Sequence, residues 1–307
     1  MNTAVIKIIT YSFVALGLLV LLLFLLKSNW VKNIPNFNGI SVNGVNYANA
    51  DKYSIGNTEV EASQVTTLDI SWISGSLEVI PYDGSKIVVS ESNTASLQDE
   101  ERLHYWHDGN TLNIKFCASG LGKIVFNTDK KALQIKVPKE YAAHLKIKTA
   151  SASCNISAIS ATEVDINTAS GSVYGKINGT VDNAKVHTVS GKIDFSCKTD
   201  KVDLSSVSGD IEFNGVATKV DTKTTSGAIR INTENSPERI KASSVSGSVK
   251  VYLPETAEFD AQLSTVSGSI RCEFPTVTLS KNNLKCGNGD IDIEASTVSG
   301  NLYINKR

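Results

Sequence analysis

Histidine and cysteine are scarce in this chain of 307 residues, which has four of the first and five of the second. The closest cysteines, Cys272 and Cys286, are 14 residues apart, and Cys117, Cys154 and Cys197 are further from any other. That excludes a CxxC pair and zinc-ligand spacing. An odd number at scattered positions is also a poor disulfide framework, so the expected role is a small buried apolar side chain. There is one Met, aromatic residues make up 7%, and helix formers are scarce after residue 30. A basic excess is missing too. The 30 Lys+Arg face 31 Asp+Glu, for a net charge of −1, which argues against a nucleic-acid partner. Six prolines stand against 21 glycines, and the apolar share is 41%, enough for a core and too much for a disordered chain. Ser, Thr, Val and Ile dominate, which is a β-rich composition. The length suits one large domain or two small ones.

Catalytic signatures are also missing. There is no G-x-S-x-G, H-E-x-x-H or G-x-x-x-x-G-K-[ST]. Gly120-Leu121-Gly122-Lys123 lacks the phosphate-loop spacing and reads as a turn. His104 and His107, near Glu101 and Asp108, are the one group that suggests a metal. In a strand, residues three apart face opposite sides, so the two imidazoles would not converge and solvated or turn positions are expected. No catalytic, metal or cofactor residues are assigned.

Long apolar runs are confined to the amino terminus. Residues 8–26 run for 19 positions without a charge, between Lys7 and Lys27. As a helix they would span about 28 Å, close to the thickness of a bilayer's hydrocarbon core. Trp30 stands where an interfacial aromatic belongs. The run is long for a cleaved signal peptide, no A-x-A pattern follows it, and no Cys follows that could carry a lipid. Residues 1–30 are therefore expected to be an uncleaved single-pass transmembrane anchor. Residues 31–60, with six Asn between 33 and 49, read as an Asn/Gly-rich linker ending in an edge strand. The flanking lysines are nearly balanced and lean weakly towards a cytoplasmic domain.

Residues 61–307 are governed by a repeat. A tetrapeptide close to Thr-Val-Ser-Gly ends at Gly171, Gly191, Gly209, Gly227, Gly247, Gly268 and Gly300, with 18 to 21 residues between consecutive copies as far as Gly268. Thr149-Ala150-Ser151-Ala152 is a degenerate first copy, and Leu68, Ile70, Gly75, Leu77 and Val79 match one repeat in register. Apolar residues stand two and four places after each glycine, as in Ile211 and Phe213, and seven and five places before it, as in Val202 and Leu204. These are two period-2 strands per repeat, each with one buried face. Their phase flips at the glycine, which predicts a corner where the chain can take positive φ. A unit of about 20 residues cannot bury two strand faces alone, so the repeats must stack, each strand pairing in parallel with its copies about 4.8 Å away. The prediction is an all-β, parallel β-solenoid of ~20-residue repeats. An antiparallel sandwich is the alternative, and it has no reason to repeat the motif at near-constant spacing. Asp108-Gly109 predicts a hairpin before Leu112–Phe116, and Ile291–Ile304 reads as a compact terminal cap.

The Thr67-Leu68-Asp69-Ile70 opening, the Ile135-Lys136-Val137-Pro138 strand end, the repeats themselves and the closing Gly287–Ile293 and Thr297–Gly300 segments together resemble the bacterial putative-adhesin, or toast-rack, domain family. The resemblance covers roughly residues 60–307. It implies a right-handed, single-stranded β-solenoid, often tethered to a membrane, with relatives in cell-envelope stress-response systems. It also implies display outside the cytoplasm for a layout of one helix followed by a solenoid. It carries no catalytic residues.

Three surface features invite a function. Thr188/Ser190, Ser206/Ser208, Thr224/Ser226, Ser244/Ser246 and Thr265/Ser267 form a T-x-S array like an ice-binding face, but their parity points them inwards or into the corner, hydrogen-bonded to neighbouring coils. Asp194 and Glu212 share an outward position in adjacent repeats, an arrangement suited to an enzyme acting on polysaccharide, although a satisfied surface ladder with Arg230 explains both. Arg230, Lys250 and Arg271 follow at the same position in the next three repeats, between Glu212 and Asp292. Stacked, they would form an anion-binding stripe for lipid headgroups or anionic wall polymer, or a solvated row neutralised at its ends. The functional expectation is a non-enzymatic, membrane-anchored scaffold for envelope interaction or stress sensing, with envelope or signalling proteins as partners. An adhesive module for wall polymer or other cells is the alternative.

Overall fold

The computed structural model describes residues 40–41, 44–121, 131–280 and 282–307. It divides into Met1–Asn36, which lies outside the described residues, and Phe37–Arg307. The expected anchor at 8–26, Trp30, the first part of the linker, Gly122 and Lys123 also lie outside them. Among the described residues no helix is long and apolar enough to cross a membrane.

The described residues are all-β, with three short 3-10 turns. Each repeat contributes one strand before its corner and one after it, and these stack into two columns of parallel strands. In space the first column runs Thr111–Lys115, Thr67–Trp72, Ala142–Thr149, the later halves of four long strands ending at Thr168, Thr188, Ser206 and Lys223, then Arg239–Ser243, Ile291–Thr297 and Phe259–Thr265. The second runs Ala132–Pro138, Ser76–Tyr82, the opening halves of those four strands, then Ile229–Thr233, Val249–Leu253, Leu302–Lys306 and Ile270–Cys272. The inward residues are those that the alternation selects. Val202, Leu204, Ile211 and Phe213 are buried, as are Val220, Ile229 and Ile231 in the next coil. The four cysteines Cys117, Cys154, Cys197 and Cys286 are buried and free, Cys272 is half-buried and free, and the apolar role holds.

The coils are not stacked in sequence order. The carboxy-terminal coil, Ile291–Thr297 with Leu302–Lys306, is no cap. It sits between the coil of Gly247 and the coil of Gly268 in both columns. All of its inward side chains, Ile291, Ile293, Ala295, Leu302 and Ile304, are buried, and both edges of each of its strands are paired. At the other end the coil of Gly75 sits between strands more than 30 residues later in the chain.

The caps are antiparallel. Thr58–Glu61 pairs with Lys86–Ser92, which closes the second column on Ala132–Pro138. Ser54–Ile55 and His104–Asp108 close the first column, with the Asp108-Gly109 hairpin as predicted. Val277–Ser280 and Asn283–Cys286 close the first column at its far end. Among the described residues nothing closes the second column beyond Ile270–Cys272.

The corner glycines have a different cause from the one expected. Gly171, Gly191, Gly209, Gly227 and Gly247 do not take positive φ, whereas Gly75 does, at 83°. Close approach is what requires them: a Cβ on Gly209 would stand 1.8 Å from the carbonyl oxygen of Gly191 in the coil below, and Gly227 and Gly247 meet the same obstacle. The hydroxyl three places earlier locks the corner. Gly209 N donates to Ser206 Oγ at 2.7 Å, and Thr224 Oγ1 in the next coil donates to Gly209 O at 3.1 Å. That row of hydroxyls is buried from Thr188 through Ser206 and Thr224 to Ser244, and half-buried at Thr265. The second row is not. Ser190, Ser208, Ser226 and Ser246 are exposed, because Val207 N and Ser208 N both donate to Val189 O and the backbone turns there instead of alternating.

Candidate functional site

The outward row of the second column reads Asp194, Glu212, Arg230, Lys250, Tyr303, Arg271. Arg230 and Lys250 are neighbours, as expected. Arg271 is not the neighbour of Lys250, because the inserted carboxy-terminal strand puts Tyr303 between them. Asp292 does not end the row at all. It belongs to the first column, opposite Arg239 and Asp260.

Charge is handled differently on the two columns. On the first, Arg239 reaches Glu294 at 2.6 Å and Asp292 at 3.6 Å, and Lys241 reaches Glu294 at 2.9 Å. The Lys241 hydrogen bond holds the Glu294 carboxyl below its usual value. On the second, Lys192 holds Asp194 at 3.1 Å and Glu212 at 3.6 Å, so the paired carboxylates that suggested an enzyme are bridged by an ammonium. Among the described residues no carboxylate pairs with Arg230, Lys250 or Arg271. Two of these cations lie on tyrosine rings instead. The Arg230 guanidinium is 5.3 Å from the Tyr252 ring centre and donates to Tyr252 Oη at 3.0 Å, and Lys250 Nζ is 5.4 Å from the Tyr303 ring.

Beside this row lies an open groove of about 760 Å3, lined by Tyr252, Arg271, Glu273, Tyr303, Asn305 and Lys306 among others. Tyr252 shares the outward parity of Lys250 two residues before it, a signal present in the chain and not used. The contributions of Asn305 and Lys306 depend on the coil insertion, which the spacing of the repeats does not reveal.

The remaining candidates do not assemble. His104 is buried rather than solvated, with Nδ1 3.0 Å from Arg102 O, while His107 Nε2 lies 3.3 Å from Gln64 O. Among the described residues no group of His, Cys, Asp or Glu is placed to hold a metal.

Three solved structures show a likeness to this chain: a putative cell adhesion protein from Clostridium sporogenes (12% identity, 83% of this chain and 100% of that one, TM-score 0.30), a putative adhesin from Bacteroides fragilis (14%, 82% and 97%, TM-score 0.44) and a putative lipid binding protein from Parabacteroides distasonis (20%, 83% and 97%, TM-score 0.48). No curated protein matches the chain. The family model described as Toastrack DUF4097 matches residues 57–305, from the capping strand Thr58–Glu61 into the inserted carboxy-terminal one, and the chain belongs to the toast-rack family.

Proposed function

We propose that the protein is a non-enzymatic, membrane-tethered scaffold of the cell envelope that binds anionic polymer through the outward face of its second column. In this reading residues 8–26 form a single-pass helix, the solenoid is right-handed and single-stranded, and it lies outside the cytoplasm.

One observation carries the binding reading. Arg230, Lys250 and Arg271 stand together on one outward row with no carboxylate partner among the described residues, whereas Arg239 and Lys241 of the first column are held by Asp292 and Glu294. Guanidinium groups match carboxylate and phosphate oxygens in two-pronged fashion. Tyr252 and Tyr303 hold two of the cations up from the sheet without neutralising them. Arg230 and Lys250 are one coil apart and Arg271 is two coils beyond Lys250, at about 4.8 Å per coil, a spacing that the repeating anions of a flexible polymer can meet.

The test uses the full chain in detergent micelles, offered immobilised polygalacturonate and, separately, phosphatidylglycerol vesicles across a salt series. Salt-sensitive retention on the polymer, lost when Arg230, Lys250 and Arg271 become Ser together, is the expected result. Equal retention of the two proteins removes the site, and retention by vesicles alone moves the ligand to lipid headgroups. Protease added to intact cells and to permeabilised cells tests the topology: cleavage only after permeabilisation of the inner membrane would place the solenoid inside.

A further inference from the structure

We propose that the free edge of Ile270–Cys272 accepts an extended peptide as an added strand, one that alternates apolar residues with an acidic residue set against Arg271. This inference is independent of the polymer-binding reading.

Among the described residues three of the four column ends are closed by antiparallel strands, and this one is not. Its backbone groups face outwards in the required pattern. Leu302 N donates to Ser269 O at 2.9 Å, and Glu273 N donates to Ile304 O at 3.0 Å. Residues 269, 271 and 273 thus turn their polar groups to the inserted coil, and alternation turns those of Ile270 and Cys272 to the empty side. An extended chain laid there completes the ladder, as strand addition does at other sheet edges.

The side chains at this edge are unfinished in the same way. Val249, Val251, Leu302 and Ile304, at the inward positions of the two preceding coils, are all 1% exposed. Ile270 and Cys272, at those same positions in this coil, are only half-buried. Apolar residues at alternate positions of an added strand would cover them. On the outward face the next place in the row is opposite Arg271, which is exposed and has no ion pair among the described residues. A carboxylate there meets the guanidinium, and a lysine meets like charge.

Space limits the occupant to a thin one. The first column runs two strands further, through Asn283–Cys286 and Val277–Ser280, which is about 10 Å of step. The open groove of about 760 Å3 takes Ile270, Arg271, Cys272 and Glu273 of this edge strand into its lining. An extended segment fits beside the capping hairpin, whereas another solenoid brought up to the same edge would meet the hairpin first.

The experiment uses the full chain in detergent micelles and a fluorescein-labelled synthetic octapeptide of alternating Val and Asp. Saturable binding is expected, weaker by roughly tenfold when alternate amides of the peptide are N-methylated, about one hydrogen bond's worth. Cys272→Pro removes an edge N–H without touching the ladder to Leu302–Lys306, and should weaken binding by a similar factor. Arg271→Glu should reverse the preference, towards a peptide with Lys in place of Asp. The R230S/K250S double variant, which disables the polymer-binding row, should bind the peptide normally. Absence of saturable binding, or binding indifferent to N-methylation, overturns the proposal. If Cys272→Pro does not fold, as judged by its thermal unfolding, the N-methylated peptide and R271E still decide.

Discussion

Lys131 Nζ lies 2.7 Å from Glu91 Oε1, and both side chains are buried. The ammonium also donates to the carbonyls of Glu101 and Phe116, and rests 3.9 Å from the Phe116 ring centre and 4.9 Å from that of Trp72. Glu91 Oε2 in turn accepts from Leu103 N at 3.0 Å. The pair ties Lys86–Ser92, the turn before His104 and the residue ahead of Ala132–Pro138 to one another, segments that carry no copy of the repeat.

Removing one partner should therefore cost more than removing both. Lys131→Met leaves the Glu91 carboxylate buried and unpaired, a loss of about 3–5 kcal/mol, and the K131M/E91L double variant should recover much of it. Burial pulls the Lys131 pKa down to about 7, from 10.5 in the unfolded chain. Between those values the unfolded state binds a proton that the folded state does not, so this residue makes stability rise as pH rises from 7 towards 10. Urea midpoints measured from pH 7 to about 8, below the range where the thiols oppose it, should show the rise in the native protein and not in K131M/E91L.

Above pH 9 the cysteines act in the opposite direction. Burial pushes the thiols of Cys117, Cys154 and Cys197 up to about 12, against 9.0 when exposed. From pH 9 upwards the unfolded chain loses protons that the folded one keeps, so stability falls by at most about 1.4 kcal/mol per pH unit for each thiol. Unfolding midpoints should fall steeply in this range. Cys154→Ala should make the fall shallower, at the cost of a small cavity, and an unchanged slope would show that this thiol ionises freely in the folded protein.

The corners give a sharper test of packing. Gly209→Ala places a Cβ 1.8 Å from a backbone carbonyl that cannot move without its own coil, so a loss at the upper end of about 1–3 kcal/mol, or beyond it, is expected. Gly109→Asn is the contrast. Nothing lies within 4 Å of its Cβ, and Asn tolerates its φ of 56°. It should change stability by well under 1 kcal/mol in the same denaturant titration.

These glycines also show what could be read from the chain and what could not. The inward set, from Val202 and Leu204 to Ile211 and Phe213, followed from period-2 alternation, because burial of one strand face leaves a mark on every second residue. The corner was legible, but its cause was not: a glycine that relieves a contact with the coil below looks in sequence like one that permits positive φ. Parity alone does not separate an inward place from one in the corner for Ser190 and Ser208, and the turn that breaks the alternation leaves them exposed at the corner. The order of the coils was illegible for a deeper reason. Ladder hydrogen bonds involve only backbone, and every coil offers the same Val/Ile face, so nothing local says that Leu302 stacks on Val249 before Ile270 does. Tyr303 between Lys250 and Arg271 is the consequence at the candidate site.

The inserted coil makes a last prediction that separates it from a cap. A chain ending at Gly287 would, if its coils were stacked in sequence order, lose one terminal layer and fray only there. In the observed order it loses the layer that joins Arg239–Ser243 to Phe259–Thr265 and Val249–Leu253 to Ile270–Cys272. Both neighbours then present unpaired edges, and the coil of Gly268, with its capping hairpin, loses its only parallel partners among the described residues. Hydrogen exchange should show amides 259–265 and 283–286 unprotected in the truncated chain, with those of 249–253 weakened, while 183–206 stay protected, since repeat stacks lose structure locally where an interface is removed. Protection retained throughout 259–265 would mean that this coil can dock directly on the coil of Gly247, and that the insertion is one of two arrangements open to the chain.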